Sequence, residues 1–293
     1  METIRPIGSL HSLQVKRDDL TGIALSGNKI RKLEYLLAEA KAQGAQRVLT
    51  CGGIQSNHCR ATAVAAAQLG LRSLLFLRAA HRPAPEEPRT GNLKLAEWAG
   101  AEIRFISHAE YKVRDQLMAE AAIAGDYIIP EGGSNATGAW GYIRAIDELI
   151  NQWDTPPSAI ICATGSGGTI AGLLIGLKRR ELSIPAYGVC VCDDATTFQN
   201  AVERISQEAT RRWPSLPRVE AKDVTIIDSY VGRGYALSTE EELNDIRTVA
   251  QATGLFLDPV YTGKAFRALL NEPGRFGSRP LFVHTGGIFG LLA

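Results

Sequence analysis

The sequence predicts an α/β protein built on open, twisted, mostly parallel sheets with helices on both faces. Three observations carry this. Short apolar, β-branched runs alternate with longer stretches of helical periodicity over most of the chain. Glycine-rich segments fall where strands should end and helices begin. No repeat, low-complexity tract or long linker interrupts the alternation.

Taken in order, the first helical pattern covers 29–43, follows Ser26-Gly-Asn28 and ends at Gly44. Arg47-Val-Leu-Thr-Cys51 reads as a strand, then a helix over 56–69 that Gly70 stops. Leu74-Leu-Phe-Leu77 and Ile103-Arg-Phe-Ile106 read as strands around a helix over 91–99 closed by Gly100. A helix over 110–124, stopped by Gly125, leads to the strand Tyr127-Ile-Ile129. Helices over 138–151, 168–181, 195–210, 239–253 and 263–270 then alternate with Ala159-Ile-Ile-Cys162, Tyr187-Gly-Val-Cys-Val191, Val224-Thr-Ile-Ile227 and Leu281-Phe-Val-His284. Ser238-Thr-Glu-Glu-Glu242 looks like a capped helix start, and Gly254 like a stop. The Pro-rich His81–Pro88 segment is expected to be a loop.

The 293 residues carry 32 Lys+Arg against 31 Asp+Glu, a net charge of +1. A field that weak argues against nucleic acid or an anionic membrane as partner. With 45% hydrophobic and 22% charged residues, the composition is that of one or two globular domains and excludes disorder as the main state. Five cysteines (Cys51, Cys59, Cys162, Cys190, Cys192) are few and odd in number, and Cys190-Val-Cys192 lacks the spacing of a zinc or redox site. Reduced thiols, no metal and a cytoplasmic setting are expected. Residues 1–13 show no basic-then-apolar leader. The uncharged stretch Thr155–Leu177 begins near Pro156-Pro157 and holds Gly165-Ser-Gly-Gly168, so it reads as strand, loop and helix rather than a membrane span. Asn135-Ala-Thr137 matches the glycosylation triplet but has no secretory route.

Four glycine-rich segments lie at expected strand ends: Cys51–His58, Pro130–Asn135, Ala163–Thr169 and His284–Gly287. Gly165-Ser-Gly-Gly-Thr169 is the strongest, because small residues at a helix start free backbone N–H groups for an anion. It reads as a phosphate cradle. Ile170 stands where a dinucleotide fingerprint needs glycine, and no Gly-Lys-Ser/Thr occurs, so the phosphate belongs to neither NAD nor ATP. Only nine basic residues are lysines, and Lys29 sits at a helix start, where the dipole helps keep an amine nucleophilic, although spacing alone does not set it above a solvated helix lysine. Lys32, Lys41, Lys94, Lys112, Lys178 and Lys222 read as solvated helix lysines.

Lys16-Arg-Asp-Asp-Leu-Thr-Gly22, Gly27-Asn-Lys-Ile-Arg-Lys-Leu-Glu34, Gly53-Ile-Gln-Ser-Asn-His58, Gly132-Gly-Ser-Asn135, Thr164-Gly-Ser-Gly-Gly-Thr169, Leu257-Asp-Pro-Val-Tyr-Thr-Gly-Lys264 and His284-Thr-Gly-Gly287 together resemble one family. It is that of D-cysteine desulfhydrase and 1-aminocyclopropane-1-carboxylate (ACC) deaminase, pyridoxal-phosphate enzymes of the tryptophan synthase β-like fold (fold type II). The resemblance runs from Lys16 to Gly287. It implies pyridoxal 5'-phosphate in a cleft between two domains, a smaller one spanning 32–140 and a larger one formed by 1–31 plus 141–293, in a homodimer.

Residue by residue, the resemblance makes Lys29 the Schiff-base lysine, its Asn-Lys-x-Arg-Lys context favouring it over Lys264. Thr164, Gly165, Ser166, Gly167, Gly168 and Thr169 become the phosphate cradle. Asn57 would contact the phenolic oxygen, Ser56 and Asn57 the substrate carboxylate with His58 nearby, and Thr285 the pyridine nitrogen. Tyr235 and Tyr261, with Thr262, would line the substrate side. By residue type alone, Ser56 and Asn57 also fit a helix cap, His58 a buried histidine and the tyrosines core positions.

The implied reaction is β-elimination from a small amino acid, D-cysteine giving pyruvate, ammonia and hydrogen sulfide. ACC deaminases resemble Tyr-Glu-Gly-Lys and His-Leu-Gly-Gly where this chain has Tyr261-Thr-Gly-Lys264 and His284-Thr-Gly-Gly287, which favours the desulfhydrase. ACC deamination and L-cysteate desulfonation are the alternatives. A non-catalytic pyridoxal-phosphate binder is disfavoured by intact Ser56, Asn57, Tyr235 and Tyr261.

Overall fold

The structure, a computed structural model, describes residues 1–5, 7, 13–84 and 86–293. Pro6 and residues 8–12, within the stretch read for a leader, and Pro85, within the expected loop, lie outside the described residues.

The chain opens with β1 (Glu2–Ile4) antiparallel to β2 (Leu13–Arg17). Helix α1 (Lys29–Ala42) leads into β3 (Arg47–Gly53), α2 (Asn57–Gln68), β4 (Arg72–Arg78), α3 (Gly91–Trp98), β5 (Glu102–Ile106), α4 (His108–Tyr111), α5 (Arg114–Ala121) and β6 (Asp126–Ile128). These four strands form a parallel sheet in the order β5-β4-β3-β6. After α6 (Ala136–Ile150) come β7 (Ala159–Thr164), α7 (Gly168–Arg179), β8 (Ala186–Cys190), α8 (Ala195–Arg212), β9 (Thr225–Ile227), α9 (Glu240–Thr253), α10 (Thr262–Asn271), β10 (Pro280–His284) and α11 (Ile288–Leu291). They join β1 and β2 in a six-stranded sheet ordered β1-β2-β10-β7-β8-β9, parallel except at β1.

Central strands β7 and β10 are buried throughout, and β3 at all but its last residue, which is why they read as mostly apolar runs, with Arg47, Thr50, Thr164 and His284 as the exceptions. Helix α1 buries Leu33, Leu36, Leu37 and Ala40 against Ala61, Ala65 and Ala66 of α2 and Val48 of β3. Each buried leucine contributes roughly 2 kcal/mol. Helices α6 and α7 pack at backbone distance, because a Cβ on Gly172 would lie 2.5 Å from the Ala139 carbonyl oxygen. The core of the larger sheet closes around this pair through Ile143, Ile146, Ile170 and Leu173.

The expected elements recur with shifted ends. The glycines read as stops, Gly44, Gly70, Gly100, Gly125 and Gly254, all stand at positive φ. Thr239 and Glu242 form the capping box at α9. Asn135 of the glycosylation triplet is the N-cap of α6, its side chain accepting from the Gly138 N–H. The stretch 155–177 is strand, loop and helix, and none of the described helices is long and apolar enough to cross a membrane. Two differences have physical causes. The single helix expected over 110–124 is two, starting earlier because Ser107 and Glu110 form a capping box and breaking at Val113, whose φ of −113° is not helical. Strand β2 escapes the apolar-run criterion because its last two residues are Lys16, buried and paired with Glu148, and Arg17, half-buried and paired with Glu2 and Asp19.

Candidate active site

One cavity lies at the carboxyl ends of β3, β7 and β10, where an open α/β sheet places its ligands. It takes its walls from both sheets. Of the residues singled out in the sequence, Lys29, Ser56, Asn57, His58, Thr164, Gly165, Ser166, Gly167, Thr169, Tyr235, Tyr261 and Thr285 line it. Gly168 and Thr262 do not.

Helix α7 begins at Gly167, whose φ of 80° turns the chain into the helix, and no side chain caps its first N–H groups. Ser166 Oγ meets Ser134 Oγ at 2.8 Å, and the Asn28 amide donates to Thr169 Oγ1 at 3.0 Å. Uncapped N–H groups at the positive end of a helix dipole, with hydroxyls beside them, make an anion site. Gly168 sits under this turn: a Cβ there would meet Ser134 Oγ at 2.5 Å and Lys32 Nζ at 2.8 Å.

Lys32 corrects the sequence reading. It was expected in solvent, yet it is 1% exposed, and its amine donates to the Gly132 carbonyl at 3.2 Å and to Ser134 Oγ at 3.3 Å. Burial, with the neighbouring Lys29 charge, holds its pKa well below the usual lysine range. Lys29, the first residue of α1, has its amine desolvated by the cavity walls, which brings its pKa down to about 8; the Glu131 carboxylate partly offsets this. A Cβ on Gly132 would lie 3.4 Å from the Lys29 amine.

Ser56 is the N-cap of α2, accepting from the Cys59 N–H at 3.2 Å, and so is both a cap and part of the cavity wall. His58 is buried with Nε2 at 2.8 Å from Thr50 Oγ1, and burial followed by the charges of Lys29 and Lys32 keeps it neutral. Cys51 also lines the cavity, while Cys59 is buried and its thiol pushed up to about 12. Among the described residues, the buried Asn57 Oδ1, His58 Nδ1 and Thr164 Oγ1 have no hydrogen-bond partner.

On another wall the hydroxyls of Tyr235 and Tyr261 meet at 2.7 Å with their rings edge to face. Burial pushes Tyr235 up to about 12 and Tyr261 higher, so both stay protonated. Thr262, expected at the substrate, is instead fully buried, bonding to Asp258 Oδ1 at 2.6 Å through its hydroxyl. The Asp258 carboxylate also accepts the N–H groups of Val260, Tyr261 and Thr262, which fixes the turn that carries Tyr261. Lys264, the rival lysine, is 1% exposed with its amine on two backbone carbonyls outside the cavity lining.

Glu131 was not singled out in the sequence. It lines the cavity, takes a hydrogen bond from the Tyr111 hydroxyl at 2.6 Å and pairs with Arg114 at 2.9 Å. The available signal was its place beside Gly132-Gly133, a segment read for its glycines alone.

A model of the family described as pyridoxal-phosphate dependent enzyme matches residues 5–286. The chain is 42% identical over 300 residues to the bifunctional D-cysteine desulfhydrase/1-aminocyclopropane-1-carboxylate deaminase, mitochondrial, of Arabidopsis thaliana, over 95% of this chain and 73% of that one. It is 36% identical over 290 residues to the D-cysteine desulfhydrase of Klebsiella pneumoniae, over 95% of this chain and 88% of that one. The crystal structure of an ACC deaminase homologue superposes with a TM-score of 0.84 at 36% identity, covering 96% of this chain and 86% of that one. With a two-sheet α/β architecture of fold type II and a lysine and an anion site in one cavity, the chain belongs to the pyridoxal-phosphate dependent enzymes.

Proposed function

We propose that this pyridoxal-phosphate-dependent lyase eliminates the β-substituent of a small amino acid, D-cysteine first, so that D-cysteine and water give pyruvate, ammonia and hydrogen sulfide. The observation that carries the reading is a base and a pair of acids in one cavity. They are the Lys29 amine, lowered to about 8, and the protonated Tyr235–Tyr261 hydroxyls.

The residues fit the cofactor. The uncapped α7 N-terminus, Ser166, Thr169 and the Lys32 amine would hold its phosphate. Asn57, whose side-chain oxygen has no partner among the described residues, would turn its amide to the phenolic oxygen. Lys29 would carry the cofactor covalently. Thr285 would meet the pyridine nitrogen with a neutral hydroxyl, which does not favour full protonation there and so suits rapid loss of a β-substituent. When bound, the cofactor supplies the electron sink for the reaction.

The protein groups supply the rest. Ser56 and the N–H groups of the first turn of α2 bind the substrate carboxylate. Lys29 Nζ takes the Cα proton, and the tyrosine pair holds a proton for the departing sulfur. We further read the two sheets as two domains divided near 32 and 140, in a homodimer. The five free thiols support a cytoplasmic setting.

ACC deamination keeps the support of the bifunctional relative. The deciding experiment assays D-cysteine, L-cysteine, L-cysteate and ACC in parallel. Pyruvate with sulfide from D-cysteine is expected. Sulfite from L-cysteate alone, or 2-oxobutyrate from ACC alone, would overturn the substrate assignment.

A further inference from the structure

Lys264 is a buried amine with no carboxylate at ion-pair distance among the described residues, Glu242 acting on it only from further away, an arrangement that is unfavourable unless hydrogen bonds compensate. Its amine donates to the Val231 carbonyl at 2.6 Å and the Gly234 carbonyl at 2.7 Å. Both belong to the loop that carries Tyr235. That loop has little of its own to hold it. Its internal backbone bonds, Val231 to Asp228, Gly234 to Val231 and Leu237 to Gly234, are 3.2 to 3.3 Å long. Gly232, Gly234 and Ala236 all stand at positive φ, and for Ala236, at 58°, that conformation is strained.

Lys264 lies three residues after Tyr261, on the same face of the first turn of α10. One helical turn therefore grips Tyr235 twice, at its hydroxyl through Tyr261 and at the carbonyls of its loop through Lys264.

We propose that Lys264 is a positioning residue, whose ammonium fixes the Val231 and Gly234 carbonyls and so sets where the Tyr235 hydroxyl meets that of Tyr261. The inference rests on the reading of Tyr235 as an acid in the reaction. It also gives the second glycine-preceded lysine a purpose other than holding the cofactor.

The test compares Lys264→Met and Lys264→Gln with Tyr235→Phe and the double variants, all loaded with pyridoxal phosphate. Displacing an acid by a fraction of an ångström to an ångström lowers kcat roughly 10- to 100-fold. That loss is expected with cofactor absorbance unchanged, KM moved by less than about threefold and no more than about twofold further loss when the lysine substitution is added to Tyr235→Phe. Amide hydrogen exchange over 231–236 should quicken in both lysine variants, a readout that needs no turnover. The glutamine variant, which keeps one donor, carries the measurement should the methionine variant fail to fold. Unchanged exchange and kcat in the lysine variants, or losses that multiply fully with Tyr235→Phe, would overturn the inference. So would loss of covalent cofactor. If Tyr235→Phe itself kept full activity, the reading of Tyr235 would fall and take this role of Lys264 with it, whereas a crippled Tyr235→Phe beside a normal Lys264→Met would sink the inference alone.

Discussion

Holding the Lys29 amine away from water has a consequence for the protein before any cofactor binds. Its pKa falls from 10.5 to about 8, with burial as the main cause. Between those values the unfolded chain binds a proton that the folded chain lacks, so stability rises with pH across that window and the penalty is complete below pH 8. Lys29→Met should therefore stabilise the cofactor-free protein at pH 7 by an amount of order 2 kcal/mol, with the difference fading toward pH 10.5. Urea unfolding of the two proteins at both pH values measures it, and equal stability at pH 7 would mean that the amine is solvated. The same substitution should remove covalent cofactor and lower turnover at least about a thousandfold. Among the lysines, Ser26-Gly-Asn28 places Lys29 at a helix start, as the structure does, but that spacing alone does not set it above a solvated lysine; the family resemblance does. Lys32 was misread by its type, although it shares the i, i+4, i+8 line of Leu36 and Ala40, both buried. A lysine on an apolar line is a buried amine in search of acceptors, and here it finds the Gly132 carbonyl and Ser134 beside the loop proposed to hold the phosphate. Lys32→Met should weaken pyridoxal-phosphate binding up to roughly tenfold by removing the amine that ties Gly132 to Ser134, as a titration of cofactor-free protein would show.

At the scale of elements, the aim of the cradle depends on how closely α6 and α7 approach. Gly172 faces the Ala139 carbonyl and Tyr142 across that contact, and a Cβ there would stand 2.5 Å from the first and 2.6 Å from the Cβ of the second. Gly172→Ala must push the helices apart, at about 1–3 kcal/mol. The start of α7 moves with its axis, so cofactor affinity should fall alongside the unfolding midpoint, whereas Gly274→Ala, with open space around it, should change neither. Element types and order were legible because strands buried on both faces are mostly apolar runs and helices end on glycines at positive φ. The glycine spacing along 168, 172 and 176 was equally visible, but the helix it meets was not, since Ala139 and Tyr142 come from an element some thirty residues earlier. Strand β2 was invisible for the complementary reason. Its lysine reads as surface until Glu148 of α6 is placed beside it.

The cavity exists only in the whole molecule, because Ser56, Asn57 and Glu131 come from the smaller sheet and its loops while Thr164–Thr169, Tyr235, Tyr261 and Thr285 come from the larger. No local pattern contains a site assembled across more than two hundred residues; the motifs could be matched to a family, but their meeting is a property of the two sheets. A ligand held between them should stabilise both. At a hundredfold excess over its dissociation constant it contributes about 2.7 kcal/mol, which for a chain of this size raises the unfolding midpoint by roughly 5–10 °C. Hydrogen exchange with and without pyridoxal phosphate tests the shared site directly. Protection is expected in two separate places: the first turn of α2 with the Glu131–Gly133 turn, and the Gly165–Thr169 loop at α7. Protection confined to 165–169 would make the smaller sheet a bystander to cofactor binding, and the substrate-side roles of Ser56 and Asn57 would fall with it. Protection in both, absent from Lys29→Met at the same cofactor concentration, would tie the joining of the sheets to the one amine set at the start of α1, where the chain passes from the larger sheet to the smaller.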